Sequence, residues 1–63
     1  MELGKNLEQE RKNLCFTQKQ VANILHVSRQ TVSNWERNVS SPDLESLVSL
    51  SDLYHVSVDN LLK

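Results

Sequence analysis

Four polar side chains that could form specific hydrogen bonds with a partner lie in the short segment VSRQTVSNWERN, residues 27–38: Arg29, Gln30, Ser33 and Asn34. On a helix that begins at residue 29 they occupy one side, and Val32 and Trp35 occupy the other. A guanidinium suits guanine O6 and N7, while a carboxamide suits adenine N6 and N7. The set therefore predicts base readout in double-stranded nucleic acid. The alternative is the solvated polar face of an ordinary amphipathic helix.

An acidic residue, Glu36, follows this set in the same segment. A carboxylate that faced nucleic acid would be repelled by the phosphates. We therefore expect the Glu36 side chain to turn inward and to pair with a cation.

The length and the cysteine content restrict the class of protein. A chain of 63 residues has room for one domain with a small core, here residues 1–63. Cys15 is the only cysteine, which excludes an internal disulfide and fits a reducing cytoplasm. Cys15, His26 and His55 lack the spacing of metal ligands. The sequence also contains no nucleophile motif that would indicate an enzyme. There is also no membrane-length apolar run or signal region, so we predict a domain without cofactor, metal or membrane partner.

The net charge of −1 conceals a division along the chain. Residues 1–37 carry six basic and four acidic side chains, a balance of +2, whereas residues 38–63 carry one basic and four acidic, a balance of −3. A polyanionic partner would therefore meet the first half. The alternative is that both halves are merely solvated, and charge alone does not decide between them.

Hydrophobic spacing and capping residues predict two helices in the first part of the chain. The first, over residues 2–13, rests on three leucines at helical spacing: Leu3, Leu7 and Leu14. The second follows Thr17, because Thr17 with Gln20 three residues later forms a capping box.

Three more helices are predicted after residue 27. Ser28 is the expected N-cap of a helix over residues 29–37. Ser41 with Pro42 predicts the start of the fourth helix. Its expected buried side consists of Leu44, Leu47, Leu50 and Tyr54. Ser57 caps a short last helix, and no β-branched run is long enough for a strand, so the predicted fold is an all-α, compact five-helix domain.

A helix, a three-residue turn and a second helix over about residues 17–37 form the helix-turn-helix arrangement. With its flanking motifs the chain resembles the lambda-repressor/Cro-like (XRE-type) helix-turn-helix family from about residue 3 to residue 62. The matching motifs are Thr17-Gln18 with Val21-Ala22 and Leu25, VSRQTVSNWE at residues 27–36, Pro42-Asp43-Leu44 with Leu47 and Leu50, and Val56-Ser57-Val58 with Leu61-Leu62. The resemblance implies a sequence-specific DNA-binding transcriptional regulator, more often a repressor, whose helix over residues 29–37 enters the major groove.

The resemblance also implies roles for particular residues. It assigns base contacts to Arg29, Gln30, Ser33 and Asn34. It gives Gln18 a phosphate contact at the start of the second helix, and it makes Arg11 the partner of Glu36. Free N–H groups at a helix start favour phosphate, and we predict that five residues hold the DNA backbone: Gln18, Lys19, Arg37, Asn38 and Ser40.

The chain departs from the family where glycine often ends a helix. Those places are held by Cys15, His26, Asn38 and His55. Asparagine and histidine are the non-glycine residues enriched at positive φ, so three of the four are suitable substitutes. We interpret the two histidines as helix-end residues.

A single recognition helix reads too few base pairs to find one site in a genome. We therefore predict a homodimer on a palindromic operator, in the cytoplasm at a bacterial or phage nucleoid. The predicted dimer surface is formed by Leu53, Val58 and Leu62, unless these residues complete the core. A protein or peptide effector is a further expected partner. The competing function is a protein-interaction module, such as an antitoxin or a peptide-responsive regulator.

Overall fold

The hydrophobic spacing resolves into five helices in the computed structural model, which describes residues 2–63. The helices are α1 (Leu3–Asn13), α2 (Gln18–Leu25), α3 (Arg29–Glu36), α4 (Leu44–Tyr54) and α5 (Val58–Leu62). Residues 2–63 contain no β-strand, which confirms the all-α prediction. Over the same residues, every helix falls short of the length and apolar character that crossing a bilayer requires.

Side-chain caps begin α2, α3 and α5 where the sequence predicts them. Thr17 Oγ1 accepts from the Gln20 backbone N–H at 3.1 Å, and Gln20 Oε1 accepts from the Thr17 backbone N–H at 2.8 Å, which completes the capping box. The hydroxyls of Ser28 and Ser57 accept from backbone N–H groups three residues later, each at 3.1 Å. These acceptors satisfy N–H groups that have no partner within their own helix.

The predicted start of the fourth helix at Ser41 and Pro42 is wrong. The N-cap is Asp43, whose Oδ1 accepts from the Ser46 backbone N–H at 2.8 Å. A carboxylate at this position satisfies a free N–H group and meets the positive end of the helix dipole, which a proline ring does not. Both Ser41 and Pro42 therefore precede α4.

One leucine expected in the core, Leu44, lies at the surface. Leu44 is 75% exposed, because each step of three residues back from Leu50 turns the side chain about 60° further from the core side. Leu47 remains partly buried one step back, and Leu44, two steps back, is outside. Leu14, one of the three leucines whose spacing predicted the first helix, lies just after its last residue and is 42% exposed.

Four helices end in the same way, with one residue in the left-handed region. The φ values are 61° at Cys15, 59° at His26, 59° at Asn38 and 58° at His55. At each of these ends the next residue donates its backbone N–H to the carbonyl oxygen five residues earlier: Phe16 to Arg11, Val27 to Ala22, Val39 to Asn34 and Val56 to Ser51. This repeated closure satisfies carbonyls at the helix end. The predicted helix-end role of the four residues is confirmed, including that of Cys15.

The core takes one almost fully buried aliphatic side chain from each helix: Leu7, Val21, Val32, Leu50 and Leu61. Trp35 and Tyr54 complete it, and Phe16 and Leu25 pack against its edge. Because every helix contributes, removing the anchor of one helix would loosen its neighbours. Helix α3 packs mainly against α1 and α2, so its position depends on both of these helices.

The Asp43 cap should make stability depend on pH in the acid range. Hydrogen bonds from the Ser46 hydroxyl and backbone N–H lower the pKa of Asp43 below its ordinary 3.8. A lowered folded-state pKa contributes stability above the unfolded value, and this contribution is lost as pH falls through the folded value. We expect the melting-temperature gap between the wild type and Asp43→Ala to narrow below pH 3.8. Asp43→Asn is the control, because it keeps an acceptor without a titrating charge; an unchanged gap from neutral to acid pH would contradict the cap.

Candidate nucleic-acid interface

Helix α3 presents one buried side and one open side. Val32 and Trp35 are 1% and 6% exposed and anchor α3 in the core. On the other side Arg29 and Gln30 are exposed, and Ser33 and Asn34 are partly exposed. The predicted base-reading residues therefore lie together on the face of α3 that the core leaves uncovered.

Two carboxamides on this face are paired with each other. Gln30 Nε2 donates to Asn34 Oδ1 at 3.0 Å, one turn further along α3. The pairing leaves Gln30 Oε1 as an acceptor and the Asn34 amide group as a donor. An adenine edge in the major groove offers one donor and one acceptor, so the joined pair has the complementary chemistry.

Arg29 is held at the start of α3 by a side chain from α2. Its Nη1 donates to Gln18 Oε1 at 3.1 Å, and Gln18 Nε2 donates to Glu36 Oε1 at 3.0 Å. Gln18, which the sequence assigns to phosphate, thus uses both ends of its amide inside the protein. One of its two N–H groups remains free for an external acceptor.

The inner end of this chain of contacts is the pair of Arg11 and Glu36. Arg11 Nε donates to Glu36 Oε2 at 2.7 Å, and Arg11 Nη2 donates to Glu36 Oε1 at 3.1 Å. The two side chains are 10% and 3% exposed. Arg11 Nη1 also donates to the Phe16 carbonyl oxygen at 2.9 Å, at the left-handed end of α1. Helix α1 is thereby joined both to α3 and to the segment that leads into α2.

The charges of this pair affect its surroundings. The hydrogen bond to Glu36 raises the pKa of the Arg11 guanidinium, so the cation is retained. Burial, with a smaller contribution from the Glu36 charge, raises the pKa of the Tyr54 hydroxyl, which keeps it neutral. Because Glu36 faces Arg11 and Gln18, its charge is directed away from the open face of α3.

The five residues predicted to hold the DNA backbone lie on both sides of α3. Gln18 and Lys19 are in the first turn of α2, and Lys19 is exposed. Arg37 ends α3, and Asn38 and Ser40 follow it, all three exposed. Asn38 Oδ1 already accepts from the Gly4 backbone N–H at 3.1 Å, which leaves its amide group free to donate. The structure thus brings cationic and amide donors to both ends of the set of residues predicted to read bases.

Gly4 is a structural determinant that the sequence analysis missed. A Cβ atom at this position would lie 2.5 Å from the Glu36 carbonyl oxygen, 2.8 Å from the Trp35 carbonyl oxygen and 2.7 Å from Asn38 Oδ1. Only glycine lets α1 approach the C-terminal end of α3 this closely. The available signal was a lone glycine inside a helical pattern, which often has a packing reason.

The three residues of the predicted dimer surface are all partly buried. Leu53 and Leu62 pack against the core, and Val58 is partly exposed at the first position of α5. The large hydrophobic side chains with the greatest exposure are others: Leu14, Ile24, Val39, Leu44 and Val48. Leu53 and Leu62 therefore serve the core at least in part.

The residue types that usually ligate metals are dispersed over the described part of the chain. Among the residues that the structure describes, no three His, Cys, Asp or Glu side chains converge on one point. The open face of α3 carries amides, a hydroxyl and a guanidinium, which are hydrogen-bonding groups.

Comparison with known proteins gives consistent matches over nearly the whole chain. The family model described as helix-turn-helix matches residues 7–61. The HTH-type transcriptional regulator ImmR of Bacillus subtilis (strain 168) is 44% identical over 62 residues, which cover 98% of this chain and 49% of ImmR. The HTH-type transcriptional activator BcrR of Enterococcus faecalis is 40% identical over 62 residues, 98% of this chain and 30% of BcrR. Repressor protein C2 of Salmonella phage P22 is 34% identical over 61 residues, 97% of this chain and 28% of C2. The chain spans half or less of each of these relatives.

A solved structure has the same fold. The N-terminal DNA-binding domain of SinR from Bacillus subtilis matches with a TM-score of 0.86 and 29% identity, covering 97% of this chain and 90% of that chain. A crystal structure of SinR in complex with DNA gives the same TM-score and identity and is covered to 98%.

Proposed function

The chain belongs to the helix-turn-helix family of transcriptional regulators, and we propose that it regulates transcription by binding double-stranded DNA sequence-specifically through α3. The observation that carries the proposal is the two-sided character of α3, with Val32 and Trp35 buried and the four polar residues uncovered. The likeness to SinR, solved in complex with DNA, supports the same partner. We propose repression as the mode, because occupying a site already excludes other proteins, and the phage P22 relative is named a repressor.

Base readout is assigned to Arg29, Gln30 and Asn34, with a smaller part for Ser33. The joined amides of Gln30 and Asn34 suit adenine, and a guanidinium held by Gln18 suits guanine. The proposed half-site therefore contains guanine and adenine at neighbouring positions. Phosphates on either side of these bases would be held by five residues: Gln18 through its free N–H group, and Lys19, Arg37, Asn38 and Ser40. These contacts would add affinity without sequence preference.

Replacing Asn34 or Arg29 with alanine tests the readout. Each change should cost about 1–3 kcal/mol on the preferred duplex and relax preference at one base pair. Binding isotherms on the preferred duplex and on random DNA measure both effects. Lys19→Ala is the matched control, because the loss of a phosphate contact should weaken binding to both duplexes alike. Equal losses for Asn34→Ala on the two duplexes would reassign Asn34 to the DNA backbone.

We propose that two copies bind one palindromic operator. Symmetry doubles the number of base pairs read, and two recognition helices on one face of the duplex require half-sites about 10–10.5 bp apart or a multiple of this. The partly exposed Val58, with Leu53 and Leu62 beside it, is the proposed contact. Cooperative binding of two chains that survives Val58→Asp would exclude this surface.

The competing function is a module that binds protein instead of DNA, and the acidic balance of residues 38–63 favours it. The salt dependence of DNA binding separates the two functions. A protein that neutralises several phosphates releases counterions, so its affinity falls steeply with salt on a log–log scale. A flat salt dependence, or no retention on DNA at low salt, would reject the DNA-binding function.

The remaining assignments follow from this function. A regulator that acts by occupying DNA needs neither catalysis nor a cofactor, and we propose that the chain is not an enzyme. It would work where the DNA is, in the cytoplasm at a bacterial or phage nucleoid. We propose that residues 1–63 form one DNA-binding domain, with the helix-turn-helix unit at residues 17–37. A protein or peptide effector is a further proposed partner.

A further inference from the structure

A groove of about 470 Å³ lies between the C-terminal end of α2 and one side of α4. Its apolar wall is made by Ile24, Leu25 and Leu53, and Ile24 is 49% exposed. None of the residues assigned to base readout lines it, although it shares Leu53 with the proposed dimer contact. The groove is therefore a second surface feature, separate from the open face of α3.

Two further hydrophobic side chains are exposed on α4, outside the lining of the groove. Leu44 is 75% exposed and Val48 is 44% exposed. They are four residues apart and so share one side of the helix, next to the side that faces the groove. A protein of this size exposes single hydrophobic side chains routinely, so Leu44 and Val48 alone do not indicate a binding surface. The groove and the charges along it carry the argument.

The charges at the groove indicate the chemistry of its partner. Its charged side chains are Glu45 and Asp52 on α4, and His26 at the end of α2 also lines it. Among the described residues, neither lysine nor arginine contributes to the lining. DNA would be repelled here. A cationic segment with a bulky apolar residue would find both an apolar wall and two carboxylates.

We propose that this groove binds a basic, amphipathic α-helical segment of a partner protein. The apolar residues of the segment fill the space between Ile24 and Leu53, and its lysine or arginine residues face Glu45 and Asp52. Opposite charges at the edge of such an interface mainly set specificity and association rate, and the apolar contacts hold the segment in the groove, as in other helix-in-groove interfaces. The inference does not rest on the DNA-binding function, because the groove lies outside the base-reading set.

The test uses a short synthetic amphipathic helix of leucine and lysine, titrated into the ¹⁵N-labelled chain and followed by backbone amide shifts. We expect saturable shifts centred on residues 24–26 and 45–53. The same peptide with every lysine replaced by glutamate should not bind. The double variant Glu45→Gln/Asp52→Asn should weaken binding about tenfold or more, which corresponds to about 1.4 kcal/mol or more. The matched control Asp59→Asn removes an exposed acid outside the groove and should leave the affinity within about twofold.

Four results would overturn the proposal. Shifts centred on α3, or an affinity unaffected by the double variant, would mean that the peptide binds by general electrostatics. Shifts at groove residues on dilution of the chain alone would assign the groove to a second copy. Shifts at the same residues on addition of a DNA duplex would assign it to DNA. All variants change exposed side chains, and their melting curves establish that they remain folded.

Discussion

Replacing Arg11 with methionine is expected to destabilise the fold by about 3–5 kcal/mol, the usual cost of stranding one partner of a buried ion pair. The change leaves the Glu36 carboxylate, which is 3% exposed, without its bidentate partner. It also leaves the Phe16 carbonyl oxygen without its guanidinium donor. A chain of this length has a total stability of roughly 3–9 kcal/mol, so the variant should lose about a third of its stability or more. Urea unfolding followed by Trp35 fluorescence and helical circular dichroism measures the loss.

A surface ion pair one residue away supplies the control. Lys12 and Glu8 lie 3.4 Å apart on the exposed side of α1, and Lys12→Met should change stability by less than about 1 kcal/mol. The double variant Arg11→Met/Glu36→Met removes both charges and should be less destabilised than Arg11→Met alone. An Arg11→Met variant as stable as Lys12→Met would show that the buried pair does not hold α1 to α3.

Gly4→Ala should destabilise the chain by about 1–3 kcal/mol, although alanine favours a helix interior over glycine by about 1 kcal/mol. The new Cβ would lie 2.5 Å and 2.8 Å from two backbone carbonyl oxygens at the end of α3. Backbone atoms cannot rotate away as a flexible side chain can, so α1 and α3 must separate. The separation would also strain the contacts of Arg11 with Glu36. Thermal unfolding of the variant measures the change in stability.

Lys5→Ala is the control for this effect. Lys5 is exposed in the same turn of α1, so its replacement changes helix propensity without meeting α3. We expect its melting temperature to stay within a few degrees of the wild type. A Gly4→Ala variant that melts at or above the wild-type temperature would disprove the close approach of α1 to α3.

Local signals in the sequence were sufficient to predict the helices. The capping box at Thr17 and the hydroxyl caps at Ser28 and Ser57 each depend on residues no more than three positions apart. The structure contains all of them. The helix end at Cys15 required the resemblance as well, because cysteine, unlike asparagine and histidine, is not enriched at positive φ. For the fourth helix the sequence offered two candidate N-caps, Ser41 and Asp43. The prediction took Ser41, whereas the structure uses the carboxylate of Asp43.

Features that depend on packing between helices were harder to predict from the sequence. The expected burial of Leu44 assumed that the apolar side of α4 continues to its first residue, and the core does not reach that far. The need for glycine at position 4 arises from a contact with residues more than 30 positions later, which no spacing rule in α1 reports. The sequence also offered no means of seeing that Gln18 joins Glu36 to Arg29. These contacts depend on how α1, α2 and α3 meet.

The central claim, that α3 reads DNA sequence as part of a symmetric pair, is tested most directly by selecting bound duplexes from a random DNA pool with the purified chain. We predict an enriched half-site that contains adjacent guanine and adenine, repeated in inverted orientation with centres about 10–10.5 bp or a multiple apart. The same selection with Asn34→Ala should lose preference at one base pair of each half-site. A pool that remains random after repeated selection at moderate salt would contradict sequence-specific binding, and an enriched single half-site would contradict the dimer.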